Sequence, residues 1–143
     1  MTKTTRGSHE MKRVEMVFER GGRFVIDLLE DHAPKTCSAL LKVLPLKGLE
    51  VRHAKSSGDE VYVQAMEMVT EEENNVDPSQ GDVVFNVMPN WRAICIYYGP
   101  KITNRINFNR FGKIAENLEE LEEVGNRVWL QGTEKADLRL LED

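Results

Sequence analysis

Short alternating segments, separated by tight turns and interrupted by only two helical stretches, predict a mainly β chain. The expected architecture is a closed eight-stranded β-barrel whose open ends are capped by the two helices. Three observations carry that reading: apolar and polar residues alternate with period two in most segments, Gly and Asn punctuate the joints, and helical spacing occurs once early and once late. Closure also leaves no strand edge unpaired, whereas the competing two-layer α+β sandwich would have to protect its edges.

Residues 1–12 are polar and aperiodic, with Lys3, Arg6 and Lys12 against Glu10. They read as a flexible lead to one domain over 13–143. Residues 14–18 (VEMVF), the turn Gly21-Gly22, and Phe24, Ile26 and Leu28 alternating with Arg23, Val25 and Asp27 form a first expected hairpin. Pro34 and Pro45 bracket a helix of about ten residues, because proline suits a helix's first turn and stops its far end. Cys37, Leu40, Leu41 and Leu44 would face the core. A second hairpin is expected from residues 49–54 and 61–65 around Ser56-Ser57-Gly58-Asp59, and residues 71–81 are acidic and turn-rich, a solvated surface connector.

Residues 82–88 read as a strand. Residues 93–98 (AICIYY), nearly all apolar, read as a central strand buried on both sides. Residues 99–109 lack clean periodicity and are expected to be a loop, followed by a short strand at 110–114. Asn117 is placed to cap a helix over 118–124 that Gly125 can end, with Leu118, Leu121 and Val124 inward and four glutamates toward water. Two further strands are expected at 127–131 and 136–141, joined through Gly132-Thr133-Glu134.

Composition narrows the function classes. The 143 residues suffice for one domain, and 41% hydrophobic with 30% charged residues is a globular balance. A net charge of −5 argues against a surface that neutralises many phosphates, so no nucleic-acid partner is expected. No apolar run approaches the roughly 18 residues that span a bilayer, and the first residues lack the apolar stretch of a secretory signal, so the expectation is a cytoplasmic protein without a membrane partner. Cys37 and Cys95 lie inside apolar stretches and read as small buried hydrophobes. His9, His32 and His53 are far apart, and no zinc or phosphate-loop spacing occurs, so neither metal nor cofactor is expected.

Two stretches resemble the cyclophilins: Ala33-Pro34-Lys35-Thr36, similar to the AP.T opening of that family's first helix, and residues 111–121 (FGKIAENLEEL), similar to its FGKV.EGM..V pattern. A closer resemblance is to a group of short bacterial and archaeal cyclophilin-like proteins classed as a domain of unknown function. It rests on the hairpin at residues 53–62 (HAKSSGDEVY), on Gly81-Asp82-Val83 and on Ile96-Tyr97-Tyr98-Gly99, and it spans residues 14–141. The resemblance implies an eight-stranded barrel with a helix over each end and raises the question of prolyl isomerisation. That reaction lowers an amide-rotation barrier of roughly 18–20 kcal/mol and needs a fixed donor beside an apolar proline socket. Against the family's FHRV the arginine of Val51-Arg52-His53-Ala54 stands one place early, which in a strand means the opposite face. Counting back from Phe111, the family's histidine falls on Phe108 and its tryptophan on Thr103, so the isomerase site is not carried over.

The residues themselves offer another site. His53 and Glu60 flank one turn in antiparallel strands; if they face each other, the carboxylate can orient the imidazole. Arg52 and Gln64 can donate to a carboxylate or carbonyl, Arg52 in a bidentate manner. Trp91 and Tyr62 can wall a cleft, and Asn107 and Phe108 lie in the loop that would border it. The candidate binding set is therefore Arg52, His53, Glu60, Tyr62, Gln64, Trp91, Asn107 and Phe108, for a small carboxylate or amide ligand or a short peptide. His53, Glu60 and Arg52 are the catalytic candidates if the protein is an enzyme, in the first instance a divergent peptidyl-prolyl cis–trans isomerase. A homodimer is compatible with the sequence.

Overall fold

The computed structural model describes residues 11–103 and 109–141. In chain order the elements are β1 (Arg13–Phe18), β2 (Arg23–Leu28), α1 (Pro34–Val43), β3 (Leu46–His53), β4 (Gly58–Gln64), β5 (Asp82–Asn86), β6 (Ala93–Ile102), β7 (Asn109–Lys113), α2 (Leu118–Gln131) and β8 (Glu134–Leu141). The strands close an antiparallel barrel in the order β1-β2-β7-β5-β6-β4-β3-β8, with β8 paired back to β1 from Arg13↔Leu141 to Phe18↔Ala136. The eight strands and the two helices match the expected class, and the open two-layer alternative is excluded by the closing pair. Among the described residues, no helix is long and apolar enough to cross a membrane.

Alternation sets what fills the barrel. Val14, Met16, Phe24, Ile26, Val61, Val63, Phe85, Ile94 and Ile96 point inward and are almost fully buried, with Cys37 and Leu40 of α1 and Leu121, Val124 and Val128 of α2 closing the ends. At roughly 25 cal/mol per Å² of apolar surface removed from water, this continuous cluster is the main stabilising term. β6 is buried on both faces from Ala93 to Gly99, as its apolar run implies. On its outer side Cys95 and Tyr97 pack with Val84 and Ala93 in a second, smaller cluster, with Tyr62 against it.

Several sequence expectations need correction, among them the loop expected at 99–109, whose first residues to Ile102 continue β6 and whose last, Asn109, opens β7. Nine segments were expected as strands, and the surplus one at 127–131 is the second half of α2, which runs to Gln131. Gly125 does not end that helix: it lies under the Tyr98 ring, where a Cβ would come within 2.2 Å of Tyr98 Cγ, so hydrogen is the only side chain that lets α2 settle there. The helix stops at Gly132, whose φ of +93° suits glycine. Asn117 holds the N-cap position in the left-handed region, φ +63°, and makes no side-chain cap.

The acidic segment 71–81 is also more than a connector. The N-terminus of α1 has no local cap, and the Glu73 carboxylate supplies one from the loop, accepting from Thr36 N and Thr36 Oγ1 at 2.8 Å each and from Lys35 N at 3.3 Å. Asn109 of β7 ties the loop down by donating to Thr36 Oγ1 and Glu71 O and accepting from Glu73 N. A negative group at the exposed N–H groups of a first turn is favourable on both hydrogen-bond and dipole grounds.

Candidate functional site

Where β3 ends, a cleft of about 720 Å³ opens between the β3–β4 hairpin, the outer face of β4 and β6, and the last turn of α2. Arg52, His53, Glu60, Tyr62 and Trp91, five residues singled out from the sequence, line it together. Gln64 follows on the same strand, opposite Ala93, and lies exposed outside the cleft lining. Asn107 and Phe108 fall outside the described residues.

Register decides which side chains meet. Arg52 pairs with Tyr62 and His53 with Val61, so His53 and Glu60 do not face each other across the hairpin. The expected His–carboxylate pair is therefore not formed: Glu60 is one residue from His53's partner and belongs to the opposite face of β4. By the same register Arg52 shares a face with Tyr62 and Glu60. Its guanidinium pairs with Glu50 at the surface.

The cleft has two aromatic walls. Tyr62 and Trp91 approach with ring centroids 5.5 Å apart at an interplanar angle of 48°. Opposite them, His53 lies against Trp129 of α2 at 4.7 Å and 55°. His53 is held from beneath, its Nε2 sharing a hydrogen bond of 2.7 Å with the Tyr98 hydroxyl. The same Tyr98 ring packs against Gly125 of α2. Burial lowers the His53 pKa against the pull of Asp59, which disfavours the imidazolium. Burial, with Asp59 and Glu122 nearby, pushes the Tyr98 phenol up to about 12.

Glu60 lies in the cleft at 6% exposure. The hairpin places it there: Gly58, at φ +87°, brings its backbone so near Lys101 O that a Cβ would stand 2.2 Å away, and the β4–β6 register shifts between Gly58 and Glu60. Such a bulge re-aims the side chain that follows it. Burial raises the Glu60 pKa, while hydrogen bonds from the Cys95 thiol and the Ser57 hydroxyl pull it back. The Cys95 thiol is itself pushed well above its ordinary value by burial and by Glu60, so it stays protonated and is a poor nucleophile.

Sequence reasoning missed Trp129 and Cys95 as cleft residues. For Trp129 a signal existed: the inward stripe Leu118, Leu121, Val124 continues to Val128 at helical spacing, but Gly125 reads as a stop. Cys95 lies within an all-apolar strand and carries no signal of its outward face.

Fold and site together define a class: a small closed β-barrel with an aromatic-walled cleft on its side. Within it, the chain matches over residues 16–140 the family model described as "Protein of unknown function (DUF3830)", and it belongs to that family. Curated proteins yield no match. Among solved structures the chain is similar to that of McbB in complex with tryptophan, with a TM-score of 0.77 at 22% identity. The match covers 91% of this chain and 45% of McbB, so the chain spans under half of McbB's length and the likeness shows a shared fold. It is also similar to the solution structure of the hypothetical protein AF2241 from Archaeoglobus fulgidus, with a TM-score of 0.69 and 27% identity over 92% of this chain and 95% of that one.

Proposed function

We propose that this chain is a cyclophilin-like binding protein whose cleft takes a small ligand with a flat apolar body and a carboxylate or amide group, or the matching end of a short peptide, without prolyl isomerase turnover. The observation that carries this reading is the convergence of two aromatic pairs, Tyr62–Trp91 and His53–Trp129, with the Arg52 guanidinium around one cleft of ligand size. The Arg52–Glu50 pair is exposed, and such pairs contribute little, so the guanidinium can exchange its surface partner for a ligand carboxylate. McbB, with which the chain shares its fold, was solved in complex with tryptophan, itself an aromatic acid.

Thermal-shift measurements with 3-indolepropionate and related aromatic acids test the proposal. A ligand at a hundred times its Kd stabilises by about 2.7 kcal/mol, and that gain is expected to vanish in Trp91→Ala and to weaken in Arg52→Ala. Absence of any shift with these acids would remove the reading.

A second reading, a divergent prolyl isomerase, is favoured by one observation: Arg52, Tyr62 and Trp91 line one cleft, so a hydrogen-bond donor and aromatic surface occur together. A protease-coupled proline-peptide assay separates the two. The binding reading expects no turnover, and turnover abolished by Arg52→Ala would establish the isomerase.

A further inference from the structure

Four carboxylate residues are nearly buried among the described residues: Glu15, Asp82, Glu134 and Glu60. Three have two cationic partners each. Glu134 is held by Arg20 at 3.2 Å and Arg127 at 2.8 Å, Asp82 by Arg110 at 3.7 Å and Lys113 at 3.6 Å, and Glu15 by Arg23 and Arg139. Glu60 has no cation within ion-pair distance among the described residues, only the Cys95 thiol and the Ser57 hydroxyl. Burying a carboxylate is costly unless a positive charge accompanies it, and the rest of this barrel follows that rule. The exception is the one carboxylate that lines the cleft.

We propose that the missing cation is brought by the ligand: Glu60 is the counter-ion for an ammonium group, and the cleft selects an aromatic amino acid over the corresponding deaminated acid. This rests on the reading of the cleft as a site for an aromatic acid and specifies its ligand further. Arg52 on β3 lies diagonal to Glu60 on β4 on the same face, and diagonal positions of an antiparallel pair are roughly 7–8 Å apart. Both side chains line the cleft, so one ligand within it can meet the carboxyl with an ammonium and the guanidinium with a carboxylate. The Tyr62 and Trp91 rings between them offer a flat surface to an aromatic side chain and an electron-rich face to the ammonium.

Isothermal titration of the full chain with L-tryptophan, tryptamine and 3-indolepropionate tests the assignment, since the three differ only in which charged groups they carry. L-tryptophan is expected to bind about ten-fold or more tighter than 3-indolepropionate. In Glu60→Gln that ratio should fall to near one. The wild-type ratio is informative on its own, whatever the stability of the variant. Equal binding of the two acids by the wild-type protein, or a ratio that survives in Glu60→Gln, would overturn the counter-ion and leave the cleft reading intact. Binding of none of the three would overturn both.

Discussion

Glu134 and Glu60 are strand glutamates buried to nearly the same degree, 3% and 6% exposed, yet their surroundings are opposite. Arg127 grips Glu134 through Nε and Nη2, and Arg20 reaches it through its backbone N–H and side-chain Nε, so charge-assisted hydrogen bonds hold its carboxyl below the usual range despite burial. Glu60 has the burial without a cation among the described residues, and its carboxyl moves up. The difference teaches that burial alone does not mark a structural carboxylate. In this barrel a clamped acid joins strands and helix, as Glu134 joins β8 to α2 and the β1–β2 turn, whereas an unclamped one faces a cleft.

Substitutions sharpen the contrast in order of expected effect. Glu134→Gln breaks a doubly clamped carboxylate and leaves two guanidinium groups short of a partner. It is expected to cost about 2 kcal/mol in urea unfolding, with the part-exposed arginines taking up water to limit the loss. Glu73→Ala removes the long-range cap of α1 and is expected to cost about 1 kcal/mol. Glu60→Gln should change stability by no more than about 0.5 kcal/mol at neutral pH, because the amide keeps the shape without the buried charge. A cost for Glu60→Gln as large as that for Glu134→Gln would break the comparison.

The pH dependence of stability carries the same contrast with opposite signs. The Glu134 pKa is lowered by folding, so its contribution is present above the ordinary value of 4.5 and is lost as pH falls through the depressed value. The Glu60 pKa is raised, so the folded state binds the proton more tightly and its contribution declines as pH rises from 4.5 through the elevated value. Urea unfolding followed from pH 4 to pH 8 should therefore show Glu60→Gln gaining on the wild-type protein as pH rises, and Glu134→Gln losing ground. His53, lowered by burial, adds a loss of stability as pH falls below 6.5.

Much of the barrel was legible because period-two alternation is a local signal: both hairpins, the bracketed first helix and the doubly buried 93–98 strand follow from the sequence directly. The second helix was misread because one glycine has two uses. Gly125 resembles a terminator in sequence, whereas its role is to admit Tyr98, a contact 27 positions away that no window along the chain contains. The site was legible as a set of residue types and not as a geometry. Arg52, His53, Glu60, Tyr62 and Trp91 do gather around one cleft, but register alone decides that His53 opposes Val61 and that Arg52 shares the cleft face with Glu60. The lack of a cation near Glu60 among the described residues could not be read from the sequence, since one of the two clamps on each of Glu134 and Glu15 reaches across more than a hundred positions.

The central claim is that Glu60 is a buried carboxyl kept without a cation until a ligand supplies one. The direct measurement is a carbon-13 NMR titration of the glutamate side-chain carboxyls in the ligand-free protein, assigned through Glu60→Gln and Glu134→Gln. The expected result is a Glu60 midpoint above 4.5 and a Glu134 midpoint below it. A Glu60 midpoint at or below that of Glu134 would contradict the account.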